Sequence, residues 1–344
     1  MSELPPRIDV AIIGGGFAGC ATAWTLGRRG VSAVVLERET ELGRFASGRG
    51  AGLGRQLAED DATTTLTMRG AELLRTELPS AWTPTGGILT FDEPTRMTAY
   101  LARAERHGLG IEVVTRKTVL GMWPELEHLP INAAISIATD GVIDIRALLA
   151  LYAADANVML GAGVERIEPT QDGARVITAR GPVEARIVVD ASGAWAGTST
   201  GDPPLDAFKR HLFVLEAQPR ADTSYLWHLG TEELYVRGAG DGILVSACDA
   251  SVGPACDAAT DPEGERGLRE VLAKTAPDLA RVAIVRQWAC QRSFTPDRRM
   301  RLGRDPRRPW LVWAAGLGGH GATASAAVGE VVADAAEAAI TTAS

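Results

Sequence analysis

The sequence predicts an α/β fold in which a doubly wound βαβ domain carries an inserted, strand-rich second domain. An apolar run, a glycine-rich turn and a helical segment open the chain at residues 8–30. Strand patterns dominate residues 207–250. A strand, a glycine-rich turn and a helix of small residues close the chain at 310–336. A length of 344 residues favours two domains over one.

The first strand covers residues 8–13, IDVAII, and its continuous apolar run is typical of a parallel strand buried on both faces. A helix follows and is closed by Gly30, which suits a helix C-terminus. The second strand covers 31–37 and ends on Glu37. Three helices are then predicted, at about 62–78, 94–107 with Pro94 in its first turn, and 145–154 capped by Asp144.

The middle of the chain changes character. Four strands are predicted there, in FKRHLFVLEA, SYLWHL, ELYVRG and GILVSA. One helix is predicted over 261–279, followed by strands in RVAIVRQWAC and PWLVWAAG and by the C-terminal helix. The pattern therefore indicates two interleaved domains.

Composition excludes several classes of protein. The formal net charge of −8 argues against a nucleic-acid partner. The cysteines, Cys20, Cys248, Cys256 and Cys290, form no C-x-x-C pair, and five scattered histidines add no metal-ligand spacing. No signal peptide or membrane-spanning stretch is predicted. We therefore expect a soluble, cytoplasmic protein without a metal.

Gly14, Gly16 and Gly19 form G-x-G-x-x-G between the first strand and its helix. The first glycine permits a tight turn, the second lets the backbone approach a pyrophosphate, and the third allows close helix–strand packing. Glu37 stands where a carboxylate accepts hydrogen bonds from ribose hydroxyls, and its charge disfavours a 2′-phosphate. The motif predicts NAD or FAD and does not choose between them.

The C-terminal stretch WLVWAAGLGGHGATASAAVGE favours FAD. Its glycine-rich turn can present backbone amides and a second helix N-terminus to an anion. A reduced flavin carries negative charge near N1 and the C2 carbonyl, whereas a nicotinamide has no need of a second such site.

Several motifs together resemble the FAD-dependent amino-acid oxidase superfamily, which includes D-amino-acid oxidase, glycine oxidase and monomeric sarcosine oxidase. In chain order they are the glycine motif with LERE, ASGRGAG, GVIDIRALL, RIVVDASGAWAG, RSFTPD and GLGGHGATASAAVGE. The similarity runs from about residue 8 to 335. The segments FKRHLFVLEA and EELYV and the terminal block are most similar to D-arginine dehydrogenase.

The resemblance implies a Rossmann-like FAD-binding domain of the glutathione-reductase type with an inserted mixed β-sheet substrate domain. We expect the FAD-binding domain at 1–80, 138–205 and 293–344, and the substrate-binding domain at 81–137 and 206–292. The implied FAD-binding residues are Gly14, Gly15, Gly16, Phe17, Ala18, Gly19, Glu37, Arg38, Ser47, Gly48, Arg49, Gly50, Ala51, Val164, Gly193, Gly318, Gly319, His320, Gly321, Ala322 and Thr323.

The resemblance also implies catalytic residues. In this family, the arginine at the position of Arg292 binds the substrate carboxylate. A planar guanidinium can fix a carboxylate bidentately, so that the Cα–H bond of the substrate is oriented. Arg210 resembles a second guanidinium near that carboxylate, and Tyr235 resembles a phenol that donates a hydrogen bond. His320 is the fourth expected catalytic residue.

Cys290 stands two residues before Arg292, so strand alternation predicts that both face the same side. Sarcosine oxidase has its flavin-linking cysteine at the Cys290 position, whereas D-arginine dehydrogenase has glycine there. A covalent flavin link and an inert buried thiol both stay open.

Two departures from the family refine the expected function. Leu244 replaces the lysine that activates oxygen in sarcosine oxidase, which favours a dehydrogenase. Gly86 and Gly87 stand where D-arginine dehydrogenase has the carboxylate that recognises a basic side chain, which favours a neutral substrate.

The resemblance implies an FAD-dependent oxidoreductase that oxidises the C–N bond of a small amino acid, and we expect the D configuration. Hydride transfer to flavin N5 would give an imino acid, which water hydrolyses to a keto acid and ammonia. Oxygen or a quinone would accept the electrons. The alternatives are a sarcosine-, glycine- or cyclic-amine-type oxidase that produces hydrogen peroxide, a non-catalytic FAD-binding subunit, and a nicotinamide dehydrogenase.

Overall fold

The computed structural model describes residues 4–218 and 220–342. Its helices are α1 Phe17–Arg28, α2 Asp61–Glu77, α3 Pro94–Arg106, α4 Arg116–Met122, α5 Ile145–Ala153, α6 Pro262–Thr275 and α7 Gly321–Thr342. Its first ten strands are β1 Arg7–Ile13, β2 Ala33–Leu36, β3 Leu53–Gly54, β4 Trp82–Thr83, β5 Gly87–Phe91, β6 Glu112–Val113, β7 Ala133–Ile137, β8 Gly141–Ile143, β9 Val158–Met159 and β10 Val164–Thr170. The others are β11 Gly173–Thr178, β12 Gly181–Asp190, β13 Asp206–Leu215, β14 Tyr225–Leu229, β15 Leu234–Ala239, β16 Gly242–Ser246, β17 Ser251–Gly253, β18 Ile284–Phe294, β19 Arg301–Arg304 and β20 Leu311–Ala315.

The first sheet is built around parallel strands in the order β9-β2-β1-β12-β20. The strand β12 pairs with β1 along one edge, while its other edge pairs first with β11 and then with β20. Fully buried apolar residues in β1, β2 and β20 explain why these strands read as unbroken hydrophobic runs.

Helices α1 and α7 pack against each other on this sheet, which explains the small residues of α7. A Cβ added at Gly329 would lie 2.6 Å from the carbonyl oxygen of Ala21, so only glycine permits the observed approach. Gly30 adopts the left-handed conformation (φ +75°) just after α1, which confirms its predicted role in ending the helix.

The second sheet is mostly antiparallel, in the order β17-β13-β16-β15-β14-β5-β7-β6, with β18 paired to β13. Apolar residues from β13 to β16 pack on one side against α6, through Leu268 and Leu272. Other side chains of the same strands face a cavity between the two sheets. A small sheet, β3-β8-β4, completes the mixed α/β fold, and the predicted fold class is confirmed.

Most predicted elements lie within a few residues of the observed ones. The helix predicted over 261–279 is wrong at its C-terminus, because α6 ends at Thr275. Pro277 lacks the amide that a helix needs and disfavours helical geometry in the residue before it. Helix α4 was not predicted. The proposed domain bounds stay a prediction.

Within residues 4–218 and 220–342, none of the helices combines the length and apolar composition required to cross a bilayer. All four cysteines are free.

Candidate active site

A cavity of about 620 Å³ lies between the carboxyl ends of the first sheet and one face of the second. The residues that end β1, β2, β12 and β20 line one part of it, which is where ligands bind in parallel α/β sheets. Side chains from β13, β14, β15 and β18 line the other part. The fold therefore brings the two predicted halves of the site together.

The glycine motif turns as predicted at the start of α1. Gly14 has φ +101°, and a Cβ there would lie 2.7 Å from the Ala191 carbonyl oxygen. Gly16 lines the cavity and leaves no space for a side chain beside Ser47 Oγ. Gly19 does not line the cavity, and a Cβ there would lie 2.0 Å from the Gly14 carbonyl oxygen. Gly19 therefore acts through packing rather than by ligand contact.

Glu37 is buried at the end of β2 and holds the glycine turn. Its Oε2 accepts a hydrogen bond from Gly15 N at 2.6 Å, and its Oε1 accepts one from Glu39 N at 2.8 Å. Each carboxylate oxygen can accept more than one hydrogen bond, so capacity for a ribose hydroxyl remains. Arg38, Val164 and Gly193 line the same end of the cavity.

The segment 46–52 crosses the middle of the cavity. Ser47 Oγ accepts a hydrogen bond from Phe17 N at 2.9 Å and so ties the segment to α1. Arg49 donates to the Ala258 carbonyl at 3.0 Å. Gly48 does not line the cavity, because it packs against the Gly43 carbonyl, where a Cβ would lie 2.2 Å from the oxygen.

The C-terminal glycine turn leads into α7. Gly316, Gly318 and Gly319 have φ values of +72°, +58° and +92°, which L side chains rarely adopt. The first amides of a helix lack intrahelical partners, so the start of α7 presents donors to the cavity. Residues 318–323, as predicted, all line it. Two helix N-termini facing one elongated cavity fit a dinucleotide with a second charged group.

A family model described as FAD dependent oxidoreductase, the DAO family, matches residues 9–335. This chain belongs to that family. FAD is therefore its cofactor, and the cavity has the glycine cradles and helix N-termini that FAD requires.

The matches to individual relatives cover most of this chain but different shares of the relatives' own lengths. Glycine oxidase of Geobacillus kaustophilus is 28% identical over 355 residues, which cover 95% of this chain and 92% of that protein. Mouse mitochondrial sarcosine dehydrogenase is 25% identical, but the match covers only 37% of its length. The solved structure of L-proline dehydrogenase from P. horikoshii has a TM-score of 0.87 at 24% identity and covers 96% of this chain and 93% of its own.

Arg292 and Arg210 lie in the half of the oxidoreductase cavity formed by the second sheet. Arg210 donates to the Cys248 carbonyl oxygen at 2.8 Å. The side chain of Arg292 makes no hydrogen bond with any residue of 4–218 or 220–342, and its Nε is buried without a partner. Burial lowers the pKa of Arg292, and the nearby Arg210 lowers it further. Within the described ranges no carboxylate forms an ion pair with either guanidinium, so Arg292 is left without a bound anion.

Tyr235 lines the cavity between these arginines and Trp227. Its ring centroid lies 5.8 Å from Arg210 Cζ and 5.2 Å from the Trp227 ring. Burial raises the pKa of Tyr235, so the phenol stays protonated and can donate a hydrogen bond.

His320 contacts an ion pair that sequence reasoning missed. Its Nε2 lies 2.8 Å from Arg55 Nη2 and 3.3 Å from Glu59 Oε2. Arg55 is 2% exposed, lies over the Trp227 ring at 4.2 Å and donates to Glu59 at 2.6 Å. Burial raises the pKa of Glu59, but Arg55 and His320 outweigh it and hold that pKa well below its usual range. A lone arginine in the apolar run LGRQLA was the available signal.

Cys290 and Arg292 both line the cavity, as strand alternation predicts, although Gln291 between them also reaches its wall. Burial raises the pKa of the Cys290 thiol, although Arg292 opposes the effect. The thiol is therefore neutral at physiological pH, which disfavours thiolate chemistry.

The predicted position of the substrate-specificity pocket at Gly86 and Gly87 is wrong. Neither glycine lines the cavity, because a Cβ at Gly87 would lie 2.4 Å from the ring of Tyr225. Leu244 is also buried away from the cavity wall. Glu233, which sequence reasoning did not single out, does line the cavity.

Proposed function

We propose that this protein oxidises the C–N bond of a small α-amino acid. The observation that carries the proposal is Arg292, an enclosed guanidinium without a counter-anion, in the same cavity as the FAD-binding residues. An enclosed cation of this kind is unfavourable until an anion pairs with it. The carboxylate of an amino acid supplies that anion.

The residues of the second sheet orient the substrate. Arg292 binds the carboxylate through its terminal nitrogens, and Arg210 adds positive charge on the adjacent strand. Tyr235 donates its hydroxyl hydrogen to the same carboxylate. These contacts would fix the orientation of the Cα–H bond, and FAD held by the glycine turns would supply the acceptor for the hydrogen and its two electrons. Water then hydrolyses the imino acid to a keto acid and ammonia.

The same positive charge favours the reactive form of the amine. A neutral amine can lose its Cα hydrogen together with the bonding electrons, whereas an ammonium cannot. Nearby cations lower the pKa of an ammonium because like charges disfavour the charged form. Arg292 and Arg210 therefore favour release of the amine proton to water, and the proposal requires no side-chain base.

The names of the relatives support an amine substrate, but they name different amines. Glycine oxidase of Geobacillus kaustophilus and monomeric sarcosine oxidase of Streptomyces avermitilis match 95% and 96% of this chain. The D configuration, for any substrate with a side chain, rests on the resemblance to D-arginine dehydrogenase. Oxidation of an N-methyl or cyclic amine is the second candidate, and the position of Cys290 in the cavity favours it.

Anaerobic mixing tests the proposal directly. The purified holoprotein is combined with D-, L- and N-methyl amino acids, and loss of the flavin absorbance is followed. Each amino acid is paired with the carboxylic acid that lacks its amine. We expect bleaching by at least one D-amino acid and by none of the carboxylic acids. Bleaching by N-methyl substrates alone supports the second candidate, and no bleaching by any amine refutes both.

A further inference from the structure

Glu233 is a carboxylate in the active-site cavity that forms no ion pair with any cation in the part of the chain that the structure describes. It lies in the turn between β14 and β15 and lines the cavity. Trp227 Nε1 donates to its Oε1 at 2.8 Å and fixes the side chain. The Cys248 thiol lies close enough to hydrogen-bond to the same carboxylate, and Arg210 acts on it through space. Within 4–218 and 220–342, no lysine, arginine or histidine forms an ion pair with Glu233.

Glu233 and Arg292 line the same cavity but are carried by different parts of the second sheet. The sheet runs β18-β13-β16-β15, so three strand spacings separate the backbones of the two residues. At about 4.8 Å per spacing this is about 14 Å. Both side chains line the cavity, with Tyr235 between them on β15. A ligand that crosses this face meets a cation at one end and an anion at the other.

The positive charge of Arg210 acts on Glu233 through space, but the two side chains form no ion pair. Glu59, the other acidic group near Trp227, already pairs with Arg55 at 2.6 Å. Arg210 is held by backbone carbonyl oxygens of Cys248 and Asp249. A fixed, partly enclosed carboxylate without a direct ion-pair partner can gain from a cationic ligand group placed beside it.

We propose that Glu233 binds a positively charged group on the substrate side chain. The substrate class is then amino acids with a terminal amine or other cation, and this inference rests on the proposed function. The reacting amine is not the partner of Glu233, because a carboxylate would hold that amine in its unreactive ammonium form. Glu233 thereby replaces the expectation of a neutral substrate, which depended on two glycines outside the cavity.

Paired substrates test the inference. Anaerobic flavin reduction gives kcat/KM for lysine and norleucine and for ornithine and norvaline, in whichever configuration reduces the flavin. Wild type should prefer the cationic member of each pair by about tenfold or more. In Glu233→Gln this ratio should fall to about one. Glu232→Gln is the matched control, because Glu232 pairs with Lys274 outside the cavity and should keep the wild-type ratio.

The outcomes separate the two proposals. Flavin content and thermal unfolding confirm that each variant is folded. If neutral amino acids reduce the flavin as well as cationic ones in wild type, or if Glu233→Gln keeps the cationic preference, this inference is overturned and the proposed function stands. If no amino acid reduces the flavin, the proposed function fails and the inference fails with it.

Discussion

The side chain of Arg292 passes directly over Gly319, where an added Cβ would lie 3.0 Å from Arg292 Cδ. Gly319 also has φ +92°, in a region that L side chains rarely adopt. The glycine turn at the start of α7 and the guanidinium of β18 are thus packed against each other. This contact, together with the hydrogen bond from Gly318 N to the Ser293 carbonyl oxygen at 3.1 Å, joins the cofactor side of the cavity to the substrate side.

Gly319→Ala should therefore displace Arg292 and strain the turn. We expect a rise in KM of about tenfold, with FAD still bound, and a loss of roughly 1–2 kcal/mol in unfolding free energy. Steady-state kinetics, flavin content and chemical denaturation measure these effects. Gly321→Ala is the control, because a Cβ there would lie 3.4 Å from the nearest atom and φ is not positive. Equal kinetic effects of the two substitutions would contradict this account.

Cys290 should not be covalently linked to FAD, because burial keeps its thiol neutral. Acid precipitation of wild type should leave a colourless pellet and release FAD into the supernatant. Cys290→Ala should retain its flavin, as should the control Cys248→Ala at the other buried cysteine of the cavity. A yellow wild-type pellet that becomes colourless in Cys290→Ala alone would establish the link and favour the sarcosine-oxidase-like candidate.

Local patterns predicted the parts of the site that lie within one segment. The glycine motif and the facing of Cys290 and Arg292 follow from spacing along a single turn or strand. The roles of Gly19 and Gly48 in packing are local consequences of the same turns.

The site residues that local patterns did not predict are brought to the cavity by contacts between segments that are distant in the sequence. Arg55 reaches His320 only because the chain returns after 265 residues. Gly87, which was expected near the substrate, is covered by Tyr225. This contact arises because β5 pairs in parallel with β14, and no local pattern encodes that pairing. Glu233 enters the cavity through the pairing of β14 with β15, and its sequence context TEELY looks like an ordinary polar turn.

Asp140 should make stability depend on pH. It is fully buried, and burial raises its pKa from 3.8 to about 6, although hydrogen bonds from Tyr225 and Gln56 oppose the rise. A raised folded-state pKa means that the protonated form stabilises the fold at low pH, and that this contribution is lost as pH rises through about 6. The unfolding free energy of wild type relative to Asp140→Asn should fall by about 2 kcal/mol between pH 4 and pH 7. A constant difference across this range, measured by denaturant titration, would show that Asp140 does not titrate there.

Oxygen should be a poor electron acceptor compared with an artificial quinone or dye. Leu244 is buried in the core, and within the described ranges no lysine lines the cavity. In the proposed function the substrate or product carboxylate pairs with Arg292 and offsets part of the positive charge that Arg292 shares with Arg210, which reduces the cationic charge that could stabilise superoxide. Reoxidation of reduced enzyme by air and by dye, followed at the flavin absorbance, compares the two. Rapid, saturating peroxide production would contradict the expectation.

Substrate binding and reduction kinetics of Arg292→Ala test the central claim most directly. Arg286→Ala, at an exposed residue of the same strand that pairs with Asp241, is the control. Removal of the carboxylate partner should cost roughly 3–5 kcal/mol in kcat/KM, while FAD stays bound. Arg286→Ala should behave as wild type. An Arg292→Ala enzyme that retains FAD and oxidises its amino acid within about threefold of the wild-type kcat/KM, a change under about 1 kcal/mol, would contradict the account.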